Sequence, residues 1–213
     1  MALAGTLLLS LPPPLYLTAI LLAFSLSSPE LLPRILTTSD EASLLLFGIG
    51  WGLIGGGFLE ELGWTGFAVP TLLRQRYGVL STGLLVGVLW GAWHLLGNDI
   101  WASVATSGGL PLALFVVFRG LSLLVGQLLA YRVLMVWVYE RTGSLLLAIL
   151  MHASFAASTF ILNPVAGPGT MSGSSLLTYD LVLAAALWIF VGMVAVANGG
   201  HSSRRPLSRR RVA

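Results

Sequence analysis

Four residues stand out because their types do chemistry and their surroundings are apolar: Glu60, Glu61, His94 and His152. Ionisable groups inside apolar segments are costly to bury and mark candidate functional sites. A carboxylate with two imidazoles suits hydrolysis. The carboxylate takes a proton from water, while the imidazoles orient that water or donate to a developing oxyanion. The same trio has the composition of a His2Glu zinc set. However, the H-E-x-x-H spacing is absent, and three separate segments would have to supply the ligands. The expectation is therefore no metal and no cofactor. A polar cluster that only holds helices together is the third reading.

The elements that must position these groups follow from composition. Of 213 residues, 56% are hydrophobic and 9% are charged, against roughly 25% charged in a soluble domain. So few charges cannot cover a soluble surface, which excludes a soluble enzyme and a disordered chain. Cysteine is absent, which excludes a disulfide scaffold. What fits is an all-α, polytopic membrane bundle of about six helices, with room for one or two extra or broken ones.

Six apolar segments are readable: Leu15 to Ser28, preceded by Pro12, Pro13 and Pro14; Leu44 to Leu73; Val79 to Leu96; Leu112 to Tyr139; Ser144 to Leu162; and Leu176 to Ala197. Residues 1–199 read as one membrane domain and 200–213 as a basic tail carrying five arginines. Arg74, Arg76, Arg141 and the tail fall on one side of a six-span arrangement, so both termini are expected in the cytoplasm of a cell-membrane protein. The tail obeys the positive-inside rule and does not imply nucleic-acid binding. Arg119 fits least well: it marks a break in the fourth segment or pairs with an acid inside the bundle.

Depth and facing bring the polar groups together. Glu60 lies 14 positions before Arg74, about 21 Å along a helix. His94 lies 17 positions beyond Tyr77, about 25 Å. His152 lies 11 positions past Arg141, about 17 Å. All three can sit near the middle of a hydrocarbon core about 30 Å thick. Gly48, Gly52 and Gly56 step by fours to Glu60. Gly83, Gly87 and Gly91 lead to His94, and Ser144 and Ala148 lead to His152. Small-residue stripes are where membrane helices pack closely, so each group should face the bundle interior. Glu61, about 100° round the helix from Glu60, should face a different side. Trp64 and Trp90 read as core or interface aromatics, Gln127 as interhelical glue, and Asn98 and Asp99 as a helix end.

These residues resemble the CPBP family of intramembrane proteases, named for CAAX proteases and bacteriocin processing. Three family motifs have counterparts in order. Glu60-Glu61 with Thr65 stands for E-E-x-x-x-R, Trp90 to His94 for an aromatic four residues before His, and His152 with Ala156 for H-x-x-x-N. The resemblance spans about Leu44 to Leu162. It implies a metal-free glutamic endopeptidase: Glu60 as general base, His94 holding the water, Glu61 in support, and His152 at the oxyanion. Two positions depart from the pattern, Thr65 for the Arg and Ala156 for the Asn. Arg119 or Arg132 is available to replace the Arg charge, and Ser154, Ser158 or Gln127 to replace the Asn donor.

The implied partners are a peptide or protein substrate, with prenylated and leader peptides as the options, and the lipid bilayer. The alternatives are a non-catalytic scaffold or bacteriocin-immunity-type protein of the same fold, and a zinc-dependent membrane hydrolase. A transporter fits poorly, because the only intramembrane acids read from the sequence, Glu60 and Glu61, form one cluster rather than a relay across the bilayer.

Overall fold

The computed structural model describes residues 33–96, 111–163 and 173–197. The segment expected at Leu15 to Ser28, the helix end at Asn98 and Asp99, and the basic tail lie outside the described residues. Every regular element within them is helical.

Helix α1 runs Glu41–Arg74, α2 Val79–His94, α3 Leu112–Thr142, α4 Leu145–Leu162 and α5 Gly173–Ala197. Local chemistry sets several of the ends. Asp40 accepts the Ser43 N–H at 3.0 Å and caps α1, which holds its carboxyl below the usual carboxylate range. Helix α1 therefore starts before the apolar run at Leu44. Gly143, at φ +63°, ends α3 and returns its N–H to Tyr139 O at 2.7 Å. Ser144 then caps α4 by accepting the Leu147 N–H at 3.2 Å.

Four of these helices are long and apolar enough to cross a membrane, and the 16-residue α2 is a shorter apolar helix. The chain is a multi-pass membrane protein. Leu46, Ile54 and Phe58 on α1, and Leu114, Val117 and Phe118 on α3, are exposed on the outside of the bundle. Such large apolar side chains are stable there only against lipid.

The glycine stripes pack as the sequence predicts. A Cβ at Gly52 would stand 2.6 Å from the Ala153 carbonyl oxygen, so only glycine lets α1 approach α4 this closely. On α2, a Cβ at Gly83 would stand 2.7 Å from Val133 Cα on α3. Between α2, α3, α4 and α5 lies a core of Trp90, Tyr131, Met135, Met151, Phe155, Leu183 and Leu187. Tyr131 stacks on Phe155 at 4.3 Å and donates its hydroxyl to Met151 O at 2.6 Å, so its polar end is satisfied within the bundle.

Among the described residues three π-helical stretches of five residues or more occur: Gly52–Glu60 and Trp64–Ala68 in α1, and Ser122–Leu128 in α3. Widened i→i+5 turns are rare and gather at functional sites. In α1 they start in a glycine-rich run and enclose the two acids. Helix α3 does not break at Arg119. It continues into its π stretch three residues later.

Candidate active site

The fully buried half of the site is centred on Glu61. Its carboxylate has no exposed surface and is engaged from three elements. His152 of α4 brings Nδ1 to 2.7 Å from Oε1. Arg132 of α3 donates from Nη1 to Oε2 at 2.9 Å. Thr65, one turn along α1, donates its hydroxyl to the same oxygen. An ion-paired carboxylate offers only acceptors, so Nδ1 of His152 is the protonated nitrogen. Its Nε2 then lies toward Gly56, where a Cβ would stand 3.2 Å away.

The half-open part is centred on Glu60. The Trp90 indole N–H donates to its Oε2 at 2.7 Å. His94 Nε2 lies 3.5 Å from that oxygen, with side-chain exposures of 30% for His94 and 21% for Glu60. His94 Nε2 is itself shielded, yet has no hydrogen-bond partner among the described residues. Trp90 joins the two halves. Its ring meets His94 and His152 edge-on at 5.2 and 5.0 Å, and the Arg132 guanidinium lies 4.1 Å over it.

All four sequence candidates thus fall in one cluster, with Glu60 and Glu61 on different sides of it. The four-residue stripe makes Glu60 the interior acid, but Glu61 is the fully buried one. The π stretch accounts for the difference. From Gly52 the buried face steps five to Gly57 and four more to Glu61, so the widened turn moves the interior register on by one residue.

Of the two arginines available to replace the motif charge, Arg132 reaches Glu61. Arg119 pairs instead with Asp180 of α5. Gln127 does not reach the oxyanion position either. Its side-chain nitrogen donates to Asp180 Oδ1 at 3.2 Å. Asp180, 2% exposed, is an intramembrane acid that the sequence reading missed. The signal was present, a lone acid four residues into the last apolar segment. Trp90, read from sequence as a core aromatic, is also a donor within the site.

Glu60, His94 and His152 each offer one ligand atom, all within 4.8 Å of one another. Among the described residues these could hold a metal ion. As they stand, they can also hold a water between an acceptor carboxylate and an imidazole.

The family described as type II CAAX prenyl endopeptidase Rce1-like matches residues 42–158. The chain belongs to the Rce1-like family. The match covers α1 through most of α4 and contains all four candidates together with Trp90 and Arg132. A search of curated proteins gave no match. In this Rce1-like chain Arg132 of α3 and the Thr65 hydroxyl both donate to the same oxygen of the Glu61 carboxylate.

Proposed function

We propose that the chain is an intramembrane endopeptidase of the CAAX-protease type, in which Glu60 activates water for attack on a peptide carbonyl. The observation that carries this reading is the Glu60–His94 pair, 3.5 Å apart at the half-open edge of an otherwise buried polar cluster. Among the described residues no hydrogen bond engages Glu60 Oε1, so one carboxylate oxygen is fixed and the other is available to a water.

In this reading water lies between Glu60 and His94. Glu60 accepts its proton as the hydroxide oxygen bonds to the carbonyl carbon. His152, held on Glu61 through Nδ1, stabilises the oxyanion from Nε2 when that nitrogen also carries a proton. The proton on Glu60 then passes to the amine nitrogen as the C–N bond breaks. Glu61 and Arg132 act by holding His152 in place. The substrate is a peptide or protein, and the protein lies in the cell membrane with both termini in the cytoplasm.

The test is cleavage of a prenylated CAAX peptide and of a leader peptide by purified protein and by Glu60→Gln. Cleavage by wild type and loss of roughly 10²–10⁴-fold in the variant is the expected result. If wild type cleaves neither peptide, the non-catalytic scaffold reading replaces this one.

The zinc reading has one observation in its favour, the 4.8 Å grouping of Glu60, His94 and His152. Metal content of the purified protein decides it. Stoichiometric zinc, with activity lost to chelator and restored by the metal, would put hydrolysis on a metal-bound water instead.

A further inference from the structure

We propose that Trp90 is a positioning residue for Glu60, acting through its indole N–H, an inference that rests on the protease reading above. The distance is that of a strong hydrogen bond, 2.7 Å from Nε1 to Oε2. Indole nitrogen can only donate. The bond therefore favours one orientation of the carboxylate, and is strengthened when that carboxylate is charged.

The ring is fixed on several sides. It is 1% exposed and belongs to the main core cluster. Two imidazoles meet it edge-on and a guanidinium covers it at 4.1 Å. Rotating the indole would break contacts to Arg132, His94 and His152 together. The donor is thus preorganised before any substrate enters, the condition under which a supporting hydrogen bond contributes most.

The consequence for Glu60 is geometric. Oε2 is shared between the Trp90 N–H and the neighbourhood of His94 Nε2, while Oε1 has no hydrogen bond among the described residues. Without the indole donor, a half-exposed glutamate regains its side-chain rotamers and spends less time aimed at the water. A phenyl ring at position 90 would preserve much of the packing but give no donor, so the indole nitrogen is the specific requirement.

The experiment replaces Trp90 with benzothienylalanine, which keeps the bicyclic shape and exchanges N–H for sulfur. Trp188, whose N–H donates to Val125 O at 3.0 Å away from the cluster, receives the same replacement as a control. At position 90 we expect kcat to fall roughly 10- to 100-fold with KM within about 2-fold, as for loss of a hydrogen bond to a charged group. The control should keep wild-type kcat. Wild-type kcat at position 90 overturns the proposal, as does an equal loss in both variants or a loss confined to KM.

A second measurement separates this proposal from the protease reading. The indole proton of 15N-labelled Trp90 should resonate downfield and move upfield in Glu60→Ala. No movement means the pairing is absent, whatever the activity. If wild type cleaves no peptide while the resonance moves, the protease reading and the kinetic role of Trp90 fail together and only the pairing stands.

Discussion

Arg132 and Glu61 meet at 2.9 Å across two membrane helices, and neither has any exposed surface. They lie 71 positions apart in the chain. A buried pair of this kind contributes little net stability against an apolar replacement, but removing one partner strands the other charge in a medium that cannot solvate it.

Arg132→Ala should therefore destabilise the bundle by about 3–5 kcal/mol. Thermal unfolding in detergent measures it. Adding Thr65→Arg to that variant returns a cation to Glu61 from its own helix, at the position the family motif uses, and should recover part of the loss. An Arg132→Ala protein as stable as wild type would show that Glu61 does not depend on this ion pair.

Glu60→Gln and Glu61→Gln should separate cleanly. The first removes the proposed base at a half-open position, so cleavage falls roughly 10²–10⁴-fold with unfolding temperature almost unchanged. The second strands Arg132, so stability falls by about 3–5 kcal/mol and activity falls through the misplaced His152. A dead but stable Glu61→Gln beside an active Glu60→Gln would reverse the two roles.

Ala156 stands where the family motif carries an amide donor, half-buried beside Gly56 and the His152 ring. Ala156→Asn should raise kcat, by up to about 10²-fold if the amide reaches the oxyanion, with little change in KM. Steady-state kinetics on the best peptide substrate check it. A lower kcat with intact folding would mean that this chain has closed the space the amide needs.

A reporter fused after Ala213 should be active only when it is a cytoplasmic type, given the tail's five arginines. Activity of a periplasmic-type reporter at the same position would invert the topology.

Much of this was legible in the chain. The five apolar segments that fall on described residues become helices nearly where the pattern places them, and the glycine stripes become the contacts of α1 with α4 and of α2 with α3. Depth counting brought Glu60, His94 and His152 to one level, and they meet there. Which acid is innermost was not legible, because steps of four assume a regular helix and the Gly52–Glu60 stretch is widened. The Trp90 N–H was hidden for a different reason: its acceptor lies 30 positions away on another helix. Asp180 was hidden by its place near the end of an apolar run, where one acid looks like a boundary rather than a partner.

Two arginines of α3, Arg119 and Arg132, carry a consequence for the order in which this protein is made. Arg132 finds its anion on α1, already synthesised, but Arg119 finds its anion on α5, which is made after α3. Until α5 arrives, Arg119 lacks the counter-charge that Asp180 supplies, a costly state inside the bilayer that favours leaving it at the interface or holding it beside water. Seating of the helix that supplies Arg132 to the acid pair is thereby coupled to arrival of α5. A nascent chain halted after α4 would hold every member of the polar cluster and still have α3 incompletely neutralised.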